Sequence, residues 1–431
     1  MTGVGRARAY TPDPMDGITL RYAIRRTERT PDQEPEVTRG ELLIGLTEST
    51  IIVDEETSVR FVDFERRRTA VLDRGAGTVR EGSLVGYAHD RVAGLGSMLH
   101  AISVASAGGV ETETSSQAEA LYGLSWPKDG DPETAFERRA TEDGSSWWVD
   151  GREVVSATPT ATPPDMSSRG MARLFAFALR LHPQIATELA SEGVVPQVLV
   201  TDNASLLFSQ HEVREYTLLS VALGSPDFVS VAAESSPTPS ADALLGLIGT
   251  QRTDRSPSFR LDDAHAALAQ GNRLEALLAV LAHNWAHVDQ TGPLVASIFE
   301  RAGWLSPLKK FNENLAHADT KPGIESQIQK LEKLRRKGGR YAYALDVIIG
   351  EKFAAMDEQL KAREFFGRAL QQDPGLAATW ISAGRTYPGE LRFQDAWDCF
   401  DEGDRLCPQH KVVGDTHMLS TQLRADHPQL F

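Results

Sequence analysis

A chain of 431 residues exceeds what one hydrophobic core usually supports, so two domains are expected. Its 60 acidic residues outnumber 45 basic ones, and the formal net charge of −15 argues against phosphate backbones and anionic lipid, hence against a nucleic-acid partner. Hydrophobic residues at 41% and charged residues at 24% are ordinary for a soluble globular protein. Residues 1–17 contain no apolar h-region, and no later stretch supplies the apolar run of a membrane helix. As written, the chain is expected in the cytoplasm; removal of an upstream signal would place it in the periplasm or outside the cell. Cys399 and Cys407 are the only cysteines, too few for a disulfide framework.

The N-terminal part reads as β-rich. Residues 18–29 alternate, with Leu20, Tyr22 and Ile24 on one face and Arg21 and Arg25 on the other, the pattern of a half-buried strand. Apolar β-branched runs follow at Glu41–Asp54 and Val59–Asp73, and a further strand at Thr78–Ala88. Arg74-Gly75-Ala76-Gly77 supplies a turn between the last two. No helix with a lysine follows these glycines, so they make a hairpin turn and not a phosphate loop. Trp147-Trp148-Val149, Asp150-Gly151 and Arg152–Val155 form the strongest hairpin signal, because Asp-Gly tolerates the positive φ of a type I′ turn.

Helices interrupt these strands, one near 90–106 and a better one over Ser168–Ser191. In the latter Met171, Leu174, Phe175, Ala178, Ile185 and Leu189 recur at helical spacing, and Pro183 should break or kink it. Strands return at Val198–Val200 and Tyr216–Leu223. Residues 1–233 therefore read as α+β, an antiparallel sheet with helices. Residues 234–260 read as a linker, with apolar Ala243–Ile248 docking on some neighbouring surface.

From residue 261 to 431 every segment reads helical. Residues 343–376 and 377–410 repeat at a spacing of 34: Gly350, Phe353, Ala362, Phe366, Ala369 and Pro374 fall where Gly384, Tyr387, Ala396, Phe400, Gly403 and Pro408 recur. Small residues let two helices approach, aromatics fill the gap, and prolines end each unit. This pattern resembles the tetratricopeptide repeat (TPR), a helix–turn–helix unit that stacks into an α-solenoid. Residues 262–290 look like a degenerate copy, 291–342 do not fit the frame, and 412–424 suits a closing helix over the last apolar face.

The resemblance implies a scaffold that binds protein or peptide partners along a groove lined by the first helix of each repeat. That assigns Ala344, Val347, Ile348, Glu351 and Ala354 from one repeat, and Ala378, Ile381, Ser382, Arg385 and Pro388 from the next. Val347, Ile348, Glu351, Ile381 and Arg385 are the candidate partner contacts. Repeats that clamp a C-terminal carboxylate carry Lys, Asn and Arg at these places, and Arg385 alone does not make such a clamp. The mostly small, apolar surface suits an amphipathic helix or a segment of the chain's own N-terminal domain.

Metal and catalytic motifs are thin. His283 and His287 stand at i and i+4, the spacing of a zinc helix, but Asn284 holds the place of the metalloprotease glutamate, and His265 and Asp289 are only loosely available as third ligands. Cys399, Cys407, His410 and His417 lack zinc-finger spacing. Asp262-Asp263 reads as a helix N-cap, and the basic stretch Lys330–Arg340 as a helix C-terminus favoured by its dipole. No cofactor is implied. Two alternatives to a scaffold follow: a carrier of a hydrophobic ligand in the sheet domain, and an enzyme whose site no motif reveals.

Overall fold

The computed structural model describes residues 17–29, 34–92, 136–149, 151–159, 167–179, 181–193, 195–205, 210–224, 236–237, 243–248, 259–288, 291–300, 310–311, 313–314, 320–426 and 431. The chain divides into two compact units, 1–238 with 421–431, and 239–420. The division falls inside the expected linker, and the last residues group with the sheet.

Among the described residues the first unit contains one sheet of twelve strands, eleven of them antiparallel. One meander comprises β1 (Ile18–Arg29), β2 (Glu36–Leu46), β3 (Thr50–Asp54), β4 (Ser58–Asp63), β5 (Arg68–Asp73) and β6 (Thr78–Ser83). The other comprises β7 (Glu137–Thr141), β8 (Gly144–Val149), β9 (Arg152–Pro159), β10 (Pro196–Ser205) and β11 (Gln210–Leu223). β1 and β11 pair along their length and join the two, so the first and last long strands sit side by side. A two-residue β12 (Ser236–Pro237) adds to β6 in parallel.

The apolar runs expected as single strands at 41–54 and 59–73 are each a hairpin. Their turns need no glycine. Thr47 Oγ1 accepts from the amides of Ser49 and Thr50 at 3.3 and 3.0 Å, and Asp63 Oδ1 accepts from that of Arg66 at 2.8 Å, with Arg67 at φ 57°. Such side-chain-to-backbone bonds stand in for turn glycines. The strand expected to reach Ala88 stops at Ser83, where a helix α1 begins over 84–92; most of the helix expected at 90–106 lies outside the described residues.

The segment 168–191 is broken as the proline requires. α2 (Ser168–Arg173) runs into a π-helical turn at Leu174–Ala178, and α3 (Pro183–Ser191) starts with the proline in its first turn, where a missing N–H costs nothing. His182 is buried and caps α3, its Nδ1 accepting from the Gln184 amide at 3.2 Å. All five residues of the π turn are buried. Phe177 packs edge-on against Phe64, their ring centres 5.0 Å apart, and Trp147 Nε1 donates to Glu188 Oε2 of α3 at 2.7 Å. These contacts seat the helices on the face of the sheet that carries Leu20, Tyr22, Leu42, Ile44, Leu199 and Trp147, all fully buried. On β3–β6 the opposite face is apolar too, with Ile52, Val59 and Leu72 buried against Phe61 and Val79.

The second unit is helical. α4 (Phe259–Ala269) and α5 (Arg273–Ala286) form a hairpin, followed by α6 (Gly292–Glu300) and α7 (Lys321–Leu334). Then come α8 (Tyr343–Ala355), α9 (Gln359–Gln372), α10 (Ala377–Gly384) and α11 (Phe393–Leu406). The closing helix α12 (Lys411–Asp426) crosses the division between units. Leu244, in the apolar part of the linker, is buried beside Gly367 of α9. α4 begins three residues before Asp262, so the acidic pair occupies its first turns and does not cap it. Among the described residues no helix is long and apolar enough to cross a membrane.

Candidate partner-binding face of the helical unit

The repeat at 343–410 is a repeat in three dimensions. α8 and α10 begin 34 residues apart (343, 377), as do α9 and α11 (359, 393). The same contact locks each hairpin. A Cβ on Gly350 would meet Phe366 Cε1 at 2.7 Å and the Ala362 carbonyl at 3.2 Å; one on Gly384 would meet Phe400 Cδ1 at 2.6 Å and the Ala396 carbonyl at 2.9 Å. Glycine is needed at both because an aromatic ring of the second helix occupies the space a Cβ would take.

The candidate contact residues divide into two groups. Val347, Ile348 and Ile381 are buried inside the chain. Ile381 points back into its own hairpin, where its Cδ1 lies 2.7 Å from the position of a Cβ on Gly403 of α11. α5, a helix with no exposed residue, packs against both α8 and α10. The repeat frame alone does not tell a groove position from a hairpin-core position.

Glu351 and Arg385 instead reach solvent, at equivalent positions of the two hairpins. Protein packed around Glu351 still pushes its carboxyl above the ordinary range, and Lys352 beside it opposes the shift. Arg385 Nη2 bonds Asp415 Oδ2 of α12 at 2.8 Å, with both side chains at least half exposed.

The α4–α5 hairpin is held to the repeats by a buried polar clasp with no counterpart in any motif. Arg260 grips Asp373 through Nε and Nη2 at 2.8–2.9 Å, and the Tyr343 hydroxyl donates to Asp373 Oδ2 at 2.8 Å. Tyr341 donates to Asp263 Oδ2 at 2.6 Å, and Arg340 pairs with the same carboxylate. Arg335, from the basic stretch after α7, pairs at 3.0 Å with Asp346 of α8, a residue 1% exposed. Burial pushes the Asp346 carboxyl up to about 6, against the pull of Arg335 and Arg368. The basic stretch is thus a helix end whose last arginines also bond across to neighbouring helices.

The histidine and cysteine candidates do not assemble. The rings of His283 and His287 are 5.1 Å apart, but His287 faces Arg260 at 3.4 Å, and Asp289 lies outside the described residues. His410 bonds the Asn284 carbonyl, His417 bonds Asp404, and Cys399 is buried. Among the described residues no three His, Cys, Asp or Glu side chains come close enough to hold a metal ion.

By architecture the chain is an α+β sheet unit joined to an all-helical unit. No family model matches it, and no curated protein matches it. Among solved structures, a chain described under "Lipid-protein interactions in lipovitellin" aligns with 8% identity over 91% of this chain and 53% of that one, at a TM-score of 0.16. The chain thus spans about half the length of that structure, and a likeness of this size assigns neither fold nor ligand.

Proposed function

We propose that the chain is a non-enzymatic interaction protein whose helical unit meets a protein or peptide partner along the edge carrying Glu351 and Arg385. The observation that carries this reading is their placement: equivalent positions of two stacked hairpins, both open to solvent, while the apolar positions between them are used internally. The tetratricopeptide-like spacing supports it, since stacked hairpins present side chains at fixed intervals. Opposite charges on that edge select a segment bearing a basic and an acidic residue, with the acidic one competing against Asp415 for Arg385. Such polar contacts tune specificity and encounter rate more than raw affinity.

The test is quantitative capture from native lysate with the full-length chain as bait, beside Glu351→Lys/Arg385→Glu and a control altered on α9, Leu360→Ser. A protein held by the parent and the control and lost from the charge-reversed bait is the expected result. Equal capture by all three baits would mean that partners meet another surface.

A further inference from the structure

The end of β11 is a strand with one side bare. β10 pairs with β11 only as far as Thr217, and among the described residues no other strand takes over along Leu218–Leu223. The opposite side is fixed. β1 follows β11 from Tyr22 opposite Leu218 to Ile18 opposite Leu223, and the Gly224 amide donates to the Gly17 carbonyl at 2.7 Å. Alternate residues of an antiparallel strand turn their N–H and C=O groups to opposite sides, so about half of these groups point away from β1. The segment is thus held in strand geometry with a free edge.

Its side chains are unusual for such an edge. Leu219, Val221 and Leu223 are 51, 40 and 77% exposed, and Ser220 and Ala222 are exposed between them. No residue from 216 to 226 is charged. Sheets ordinarily guard a free edge with charge, proline or a cover, because a bare apolar strand recruits another. The two ends of this sheet are guarded in that way. β7 is exposed throughout but carries Glu137, Arg138 and Arg139. β6 carries Arg80 and Glu81, and β12 with Pro237 lies along its first residues. The edge at Leu218–Leu223 has none of these defences.

We infer that this edge is a dimer interface, paired antiparallel with the same edge of a second copy about a two-fold axis through Val221. The register follows from the strand itself. Opposite residues of an antiparallel pair share a face of the sheet, so the two-fold passes through a residue and never between two. The bare stretch runs from Leu218, where β10 leaves off, to Gly224, where a φ of 101° turns the chain. Its midpoint is Val221. That register sets Val221 against its own copy, Ser220 against Ala222, and the bulge residue Leu219 against Leu223. Apolar meets apolar, small meets small, and no charge lies on either strand. A charged strand from elsewhere would have to leave its charges against these apolar side chains. The arrangement closes at two copies, since each spends its one such edge. One strand edge is a small contact, so the dimer is weak and depends on concentration.

The first experiment is sedimentation velocity of the full-length chain over about 2–200 µM, beside Val221→Lys, which puts like charges face to face on the axis. The parent should pass from monomer to dimer, and the variant's dissociation constant should rise at least tenfold. The position is exposed, so Val221→Lys should keep the parent's far-UV circular dichroism and melting temperature. Val221→Cys and Leu223→Cys test the register independently. Val221 and its copy would have Cα atoms about 4.5–5.5 Å apart, within reach of a disulfide. Leu223 and its copy would be four residues out of step, about 14 Å apart. Mild oxidation should therefore link Val221→Cys to itself and leave Leu223→Cys largely unlinked, with peptide mass mapping to set aside bridges through Cys399 or Cys407. A dimer indifferent to Val221→Lys, or faster linking at Leu223→Cys, would overturn the assignment. So would a parent that stays monomeric to the highest concentration, which would leave the edge to a strand of another protein.

Discussion

Asp346 shows what burial does to a carboxylate that has one cation and a second oxygen with no protein partner. Its carboxyl titrates near 6 in the folded chain, against an ordinary value of 3.8, and burial is the largest cause. The folded state therefore holds this proton more tightly than the unfolded one. The stabilisation is complete below pH 4 and is lost as pH rises through 6, on the order of 3 kcal/mol at about 1.4 kcal/mol per unit. Asp346→Asn should remove that slope: urea-unfolding free energies measured from pH 4 to 7 should fall in the parent and stay flatter in the variant. Parallel slopes would show that Asp346 is ionised throughout. Arg335 sits in the basic stretch that the sequence marks as a helix end, but its pairing with Asp346 is not readable there. Nothing in the 34-residue spacing announces that α7 ends against α8.

At the scale of elements, packing and propensity compete at the helical glycines. Alanine is better than glycine inside a helix by about 1 kcal/mol. A clash in a filled core costs about 1–3 kcal/mol. At Gly350 and Gly384 a Cβ would press into Phe366 and Phe400, so the clash should win. At Gly414 of α12 nothing lies within 4 Å, so propensity should win. Chemical denaturation followed by helical circular dichroism should rank Gly414→Ala above the parent and Gly350→Ala below it, with Gly384→Ala lowest. If all three stabilise, the two hairpins are looser than described. The Arg260–Asp373 pair makes a sharper case. Both partners are about 95% buried, and removing one leaves a bare charge at a cost of about 3–5 kcal/mol. Arg260→Leu should lose that much, and Tyr343→Phe, which deletes one bond to the same carboxylate, about 1.5–3 kcal/mol.

These elements also show why some of the architecture was legible and some was not. The small–aromatic pairs at constant offset exposed the α8–α11 repeat, because the same close approach demands the same residue types each time. Asp150-Gly151 exposed the β8–β9 hairpin, with Gly151 at φ 78°. The turns at Thr47 and Asp63 were hidden, since a threonine or aspartate folding onto its own backbone looks like any polar residue within a strand. The burial of Val347, Ile348 and Ile381 is not readable from the repeat, because what covers a helical side chain depends on which neighbour packs there, and α5 comes from outside the frame. Tyr22 read simply as a core tyrosine; only coordinates reveal that its hydroxyl is unpaired.

At the scale of the whole molecule, the sheet closes through its longest-range pairing. β1 and β11 meet about two hundred residues apart in sequence, from Ile18 opposite Leu223 to Arg29 opposite His211. The chain's last residue belongs with that unit as well. Arg173 is stacked on Phe64 at 3.8 Å and donates to the Glu48 carbonyl at 2.8 Å. It also donates to the Phe431 main-chain oxygen at 3.1 Å, while Arg424 lies over the Phe431 ring at 5.5 Å. Arg173 ends α2, directly before the π-helical turn, so its contacts hold the chain at the entry to that turn. Ending the chain after Asp426 removes Phe431 and leaves α12 whole, so its effect should fall on this turn. In hydrogen exchange of the full chain and the shortened one, peptides covering 168–178 should lose protection, while those covering 343–406 should not change. Loss confined to 343–406 would show that the terminal residue supports the repeats instead, and the compact units would have to be redrawn around α12.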